Sequence, residues 1–270
     1  MARSAGIRNR KPVKDWLCVI GISMGAFLVA IDATATSTAL PQIRAQVGID
    51  VIDASWVTTA YLLSEAVSIL ITAGLVRRFG HEATAVASIL LFAVSSVIAG
   101  FATDLSMMIV GRLGQGGSGG TLAPIALAAV KNRLDARHVA IGVTLYTLIV
   151  VLGPAIGPSL GGFIAQEFDW RWIFYLNVPI GLVAVLLIFL AGFSQPECRS
   201  PSYALDWIGM IGFAAFMCPV IFLIEEHQSI ISGLLPPIFR PLLIQIVLVG
   251  LYLIYFSQKN RTTDKALRLC

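Results

Sequence analysis

Residues 153–162 read Gly153-Pro154-Ala155-Ile156-Gly157-Pro158-Ser159-Leu160-Gly161-Gly162, within an apolar stretch from Val139 to Ala165 that is long enough to cross a membrane. In water, two prolines four residues apart among four glycines would break a helix. Each proline deletes a backbone hydrogen bond and clashes with the preceding turn. Inside a membrane bundle, neighbouring helices and local backbone adjustment re-satisfy the freed groups. A spanning helix bent at a fixed place suits a protein that changes shape. Transport is therefore the first functional expectation.

The whole composition agrees with a membrane setting. The chain is 57% hydrophobic and 13% charged, with a mean hydropathy of +0.84, whereas soluble domains carry about 25% charged residues. Eight apolar runs have spanning length: Trp16–Leu40, Ala54–Val76, Ala83–Ala102, Leu105–Val130, Val139–Ala165, Trp172–Phe193, Leu205–Ile224 and Ile238–Phe256. The first is no cleavable signal peptide, because it is too long, carries Asp32 and is followed by further spans. The expected fold class is all-α and polytopic: a six-helix N-terminal transporter bundle plus two further transmembrane helices. The polar, proline-bearing segment after the sixth run marks the boundary. The expected division is residues 1–193 as the bundle, 194–204 as a cytoplasmic linker, 205–256 as two added helices and 257–270 as a cytoplasmic tail. Six plus two, rather than two matched halves, predicts a chain from which a C-terminal half is absent.

Loop charge sets the orientation. With the N-terminus in the cytoplasm, Arg3, Arg8, Arg10, Lys11, Lys14, Arg77, Arg78, Lys131, Arg133, Arg137, Arg199, Lys259, Arg261, Lys265 and Arg268 all fall inside. Only Arg44, Arg171 and Arg240 lie in or beside outer loops. Both termini are thus expected in the cytoplasm, and the basic balance is a topology signal rather than a nucleic-acid footprint. Cys18, Cys198, Cys218 and Cys270 form no Cys-x-x-Cys pair, and three of them lie on or near the reducing side, so no disulfide framework is expected. His81, His138 and His227 sit at helix ends in separate loops. No metal, haem or other cofactor is predicted.

Asp32, Glu65 and Arg112 are the charges placed well inside spans. Each costs about 2.5–3.5 kcal/mol at a helix centre, so each needs a partner or a water-filled cavity. At about 1.5 Å per residue, Asp32 lies roughly 24 Å up the first span and Arg112 roughly 10 Å down the fourth, at similar depth. A carboxylate facing a guanidinium across a cavity can exchange a proton against a substrate, since binding either one changes the carboxylate's proton affinity. Thr34, Thr36, Ser37 and Thr38 suggest a polar, hydratable wall beside Asp32. The alternative is that Asp32 and Arg112 simply hold two helices together. Glu65 is a second titratable candidate, or a side chain that snorkels or bonds Ser64 or Ser68.

The fourth span contains Gly111-Arg112-Leu113-Gly114-Gln115-Gly116-Gly117-Ser118-Gly119-Gly120. A phosphate loop is excluded, because no strand precedes it and no Gly-Lys-Ser/Thr ends it. Close helix packing explains the glycines, and Gln115 is placed to orient the Arg112 guanidinium. Arg77-Arg78-Phe79-Gly80 is expected as a tight basic loop, either a topology anchor or a latch. Trp170-Arg171-Trp172 opens the sixth span with interfacial aromatics.

Taken together, these motifs resemble the major facilitator superfamily, specifically its fourteen-span drug:proton antiporters, which include bacterial multidrug exporters. Ile31-Asp32-Ala33-Thr34 through Pro41 is similar to that family's first-helix motif, with Asp32 at its acidic position. Gly111-Arg112 through Gln115-Gly116 resembles the fourth-helix motif associated with proton coupling. Gly153, Pro154, Gly157, Pro158, Gly161 and Gly162 resemble the fifth-helix exporter motif. Trp170-Arg171-Trp172-Ile173-Phe174 through Asn177-Val178-Pro179-Ile180-Gly181 resembles the sixth-helix pattern, and Asp206-Trp207-Ile208-Gly209 the start of the seventh. The loop motif departs: Ala73 stands at its first glycine and Arg77 where many members carry aspartate, leaving Arg77, Arg78 and Gly80 as its matching part.

The resemblance implies proton-coupled export of amphipathic or cationic compounds across the bacterial cytoplasmic membrane, with no enzymatic chemistry. Asp32, Arg112, Glu65 and Gln115 would serve coupling or substrate. The glycine–proline helix would seal the interface between halves. The implied partners are small-molecule substrate, protons and membrane lipid, with a second copy or a separate C-terminal half completing the cavity. The rival expectation is a truncated, non-transporting fragment of such an exporter. A sensor or scaffold would need a sizeable soluble domain, for which no stretch of this sequence is suited.

Overall fold

The computed structural model describes residues 12–193, together with Gly212, Phe213, Phe216, residues 246–248, Gly250 and Leu251. The predicted linker, the seventh and eighth spans and the tail lie outside this described set or touch it only at those isolated positions. Eight helices are described: α1 (Pro12–Val47), α2 (Val51–Phe79), α3 (His81–Gly100), α4 (Leu105–Gly119), α5 (Leu122–Arg133), α6 (Ala136–Glu167), α7 (Arg171–Tyr175) and α8 (Asn177–Ala191). Five segments are long and apolar enough to cross a membrane, α7 and α8 counting as one. The chain is all-helical over residues 12–193, as its apolar runs predict.

Two predicted spans are interrupted, and proline explains both. The run 105–130 breaks between α4 and α5 at Gly120 and Thr121. Pro124 offers no N–H to the carbonyl of Gly120, one turn back, and the glycine run resists it weakly. The sixth run breaks at Leu176 between α7 and α8, where Pro179 likewise offers nothing to Tyr175. The predicted loop at Arg77–Gly80 is corrected too. Arg77, Arg78 and Phe79 complete the last turn of α2, and the link to α3 is Gly80 alone. Its φ of +89° and ψ of 166° are open to glycine and strained for other residues.

Helix α1 is the hub, with α6, α8 and α5 packed around it; α4 lies between α2 and α3, and α3 also meets α8. At 36 residues it is about 54 Å long, well beyond a hydrocarbon core of about 30 Å. Small residues let these helices approach closely. A methyl group added at Gly21 would lie 2.8 Å from the Ala184 carbonyl of α8. One at Gly111 would lie 2.8 Å from the Ala99 backbone of α3, while Gly116 and Gly120 press on Tyr61, Ser64, Glu65 and Ser68 of α2.

The packed interior forms two apolar layers. One gathers Cys18, Ile22, Val29, Tyr61, Ile89, Phe92, Leu122, Ile125 and Ile188. The other gathers Ala35, Ile43, Val57, Ala99, Met108, Trp170 and Phe174. Both ends of the bundle also carry polar ties. At the end where α1 begins, Arg133 of α5 donates to Glu82 of α3 at 2.6 and 2.8 Å, to Asp15 of α1 at 3.4 Å and to the Gly192 carbonyl at 2.8 Å. At the other end, Trp170 and Arg171 donate to Gln46 at 2.8 and 3.0 Å, and Arg171 also to the Ala102 carbonyl at 3.2 Å.

Candidate functional site: a buried carboxylate–guanidinium centre

Between the two apolar layers lies one polar stratum. It holds Asp32 of α1, Ser96 of α3, Arg112 and Gln115 of α4 and Asn177 of α8, each no more than 3% exposed. Arg112 Nη1 donates to Asp32 Oδ2 at 2.6 Å and to Gln115 Oε1 at 2.9 Å, and its Nε donates to the Val57 carbonyl at 3.1 Å. The guanidinium also lies 4.1 Å from the centroid of the Tyr61 ring, a cation–π contact. The other carboxylate oxygen, Oδ1, accepts from Gln115 Nε2 at 3.0 Å and Asn177 Nδ2 at 2.6 Å.

Ser96 completes the arrangement. Its hydroxyl donates to the Phe92 carbonyl at 2.8 Å and accepts from Gln115 at 2.8 Å and Asn177 at 3.2 Å. A buried ion pair is retained without great cost only when its remaining polar atoms are also satisfied, and here both Asp32 oxygens and the Nε and Nη1 of Arg112 have partners.

The structure thus brings Asp32, Arg112 and Gln115 together. It corrects the expected setting of Asp32, which pairs directly with Arg112 inside the bundle rather than across a hydratable cavity. The reason is helical phase. Thr34 points toward Gly157 of α6, while Ser37 and Thr38 are exposed and donate back to the Ala33 and Thr34 carbonyls at 2.9 and 3.0 Å. Thr36 is fully buried. Thr34, Ser37 and Thr38 therefore line a different side of α1 from the carboxylate, whereas Thr36, one turn on from Asp32, is buried on the same side. Glu65 stays apart from the Asp32 bonds, half-buried on the seam between α2 and α4, its backbone carbonyl accepting from Ser68 at 2.9 Å.

The fifth-span motif divides into two faces. Gly153, Gly157 and Gly161 are buried on α1, whereas Pro154 and Pro158 lie on the exposed face. An added methyl would lie 2.6 Å from Ala30 Cβ at Gly153 and 2.6 Å from Ala35 Cα at Gly161. Gly162 is looser, 3.6 Å from Thr38. The glycines thus pack within this bundle, and only the proline face is turned outward. Arg77 and Arg78 are exposed at the end of α2, with Arg78 set 5.3 Å from the Phe79 ring. Among the described residues, no His/Cys/Asp/Glu group has the arrangement of a metal site.

Sequence reasoning missed Asn177, Ser96 and Tyr61 as parts of this centre. The available signal was a lone amide in one of the most apolar helices, α8, which in a membrane needs a partner.

A helical bundle with five membrane-length segments, organised around a buried ion pair, has the character of a membrane protein in which ionisable groups mark ion or substrate pathways. The sequence pattern of the Major Facilitator Superfamily matches residues 22–257, and the chain belongs to that superfamily. It is 32% identical over 207 residues to the multidrug export protein EmrB of Escherichia coli (strain K12), a match covering 76% of this chain and 40% of that protein. To EmrB of Haemophilus influenzae it is 33% identical over 195 residues, 72% of this chain and 38% of that one. The chain therefore spans well under half the length of these curated relatives. Among solved structures, the proton:xylose symporter XylE bound to 6-bromo-6-deoxy-D-glucose aligns with a TM-score of 0.60 at 11% identity, over 94% of this chain and 55% of that one. That likeness concerns the fold alone.

Proposed function

We propose that residues 1–193 form the N-terminal half-bundle of a proton-coupled exporter of amphipathic or cationic drugs and toxic compounds. The setting is the bacterial cytoplasmic membrane with both termini inside. Residues 194–204 then serve as a cytoplasmic linker, 205–256 as two added spans and 257–270 as a cytoplasmic tail. A second half-bundle completes the cavity.

The observation that carries this reading is the Asp32–Arg112 pair, 2.6 Å apart and sealed from solvent. A permanent buried pair can be replaced by well-packed apolar residues at little cost to stability, so its presence at mid-bundle fits a switch. Neutralising Asp32 with a proton removes its attraction for Arg112. Arg112 is not stranded, because Gln115, the Val57 carbonyl and the Tyr61 ring still hold it. The link between α1 and α4 loosens while α4 keeps its guanidinium. A cationic substrate favours the charged carboxylate and so favours proton release, and this coupling is reciprocal. Proton entry supplies about 2.3 kcal/mol per charge per 100 mV.

The glycine seam between α1 and α6 lets α1 shift against a smooth neighbour. In this reading Glu65 is a second proton site, and the turn of Arg77, Arg78 and Gly80 fixes the cytoplasmic end of the bundle.

The test is a pH-gradient assay in inverted membrane vesicles carrying the chain or its Asp32→Asn variant, challenged with cationic dyes. Dye-triggered proton release by the parent and none by the variant is the expected result. No release from either, with both proteins in the membrane, would favour a non-transporting chain.

A further inference from the structure

We propose that Asn177 is a positioning residue for Asp32: anchored on Ser96, its side-chain amide holds the carboxylate in the charged form that faces Arg112 and couples α8 to the protonation of α1. This rests on the reading of Asp32 as the proton site and adds to it a residue on a different helix.

The geometry is directional. The Ser96 hydroxyl spends its hydrogen on the Phe92 carbonyl, so toward Asn177 and Gln115 it can only accept. Both amides must then present N–H groups at Ser96, and both point N–H groups at Asp32 Oδ1 as well. Asn177 makes the shorter contact, 2.6 Å against 3.0 Å. Bonds to a charged acceptor are roughly twice as strong as neutral ones, so this contact weakens when Asp32 takes a proton.

Backbone geometry fixes the amide in place. Asn177 is the first residue of α8, directly after the break imposed by Pro179, and is 3% exposed. The charged and titratable groups around this point are Arg112 from α4 and Tyr61 and Glu65 from α2, which act on one another electrostatically. Helices α3 and α8 contribute only the neutral Ser96 and Asn177. The simpler role for a buried asparagine is to join two helices. That role predicts lost stability on substitution but no change in the pH at which Asp32 titrates.

The experiment is infrared spectroscopy of the purified chain in lipid across a pH series. The protonated-carboxyl band absent from the Asp32→Asn variant is thereby assigned to Asp32. Asn177→Leu keeps the branched outline without a donor, and its Asp32 band should follow a pH profile displaced from the parent's toward alkaline pH. Asn177→Ser keeps a short donor and should fall between parent and Asn177→Leu; it decides the matter if the leucine variant does not fold. An unchanged profile in the folded variants overturns the role of Asn177 alone. A parent with no Asp32 band at any pH overturns the proton reading, and this proposal with it.

Discussion

Gly161 and Ala35 meet backbone to backbone: a methyl group on Gly161 would stand 2.6 Å from both the Ala35 Cα and its carbonyl oxygen. Backbone cannot rotate out of the way as a side-chain tip can, so Gly161→Ala forces α6 away from α1. Overpacking of this kind costs about 1–3 kcal/mol. The expected result is a lower melting temperature for Gly161→Ala in detergent, followed by fluorescence-detected size exclusion. Gly117→Ala is the matched control. No atom lies within 4 Å of its added methyl, and replacing glycine by alanine inside a helix is otherwise mildly favourable. A Gly117→Ala chain that melts as low as Gly161→Ala would contradict the packing argument.

Asp32 and Arg112 should show strong thermodynamic coupling. Removing one member leaves an uncompensated buried charge, a loss of about 3–5 kcal/mol. In the single variant Asp32→Asn the loss should be toward the low end, because Arg112 retains Gln115 and the Val57 carbonyl. Arg112→Leu leaves the carboxylate with only two amides and should be the worse of the two. The double variant Asp32→Asn/Arg112→Leu should be less destabilised than the sum of the singles, which chemical unfolding in mild detergent can measure as a double-mutant cycle. Additive losses would mean that the pair is not held as described.

Much of this arrangement was legible in the sequence, for identifiable reasons. Long apolar runs have few alternatives in a membrane, so the helices followed from length and hydropathy. Asp32 and Arg112 were legible because charges inside spans are costly and need partners. The phase of Asp32 on α1 was not: the neighbouring hydroxyls suggested a wet wall, yet a few residues of helix separate the face on α6 from the face on α3, α4 and α8. Nor were the breaks before Asn177 and Leu122, since a proline near a helix start is compatible with either a continued or an interrupted span. Asn177 itself, 145 positions from Asp32 in the chain, could be placed beside it only by the three-dimensional fold.

Arg133 should matter more than an ordinary surface charge. It joins Asp15 of α1, Glu82 of α3 and the carbonyl after α8, and Glu82 is only 5% exposed. Arg133→Ala strands a buried carboxylate and should cost about 2–3 kcal/mol, visible as a lower unfolding midpoint. Glu82→Gln removes the charge that needs compensation while keeping a polar side chain, so it should cost less. Combining Glu82→Gln with Arg133→Ala should recover part of the loss from Arg133→Ala. If Arg133→Ala unfolds like the parent, the clasp contributes nothing to holding these helix ends together.

Gly80 supplies the last prediction, because it alone joins α2 to α3 and does so at φ +89°. Space is no obstacle there, since an added methyl would meet no atom within 4 Å. The penalty for Gly80→Ala is therefore conformational, about 1–3 kcal/mol for a residue held in this region. Relaxing that strain would swing the last turn of α2, with Arg77 and Arg78, away from α3 and pull on the Thr84 amide and hydroxyl, which both donate to the Gly80 carbonyl at 3.2 and 2.7 Å. A new protease-sensitive site at Arg77 or Arg78 in limited trypsin digestion, absent in the parent, is the expected readout. Gly80→Asn should be cut about as readily as Gly80→Ala, because asparagine's tolerance of positive φ is for the left-handed helical region and not for ψ near 166°. Cleavage of Gly80→Ala no faster than that of the parent would mean that the backbone angle at this link does not govern how the two helices are joined.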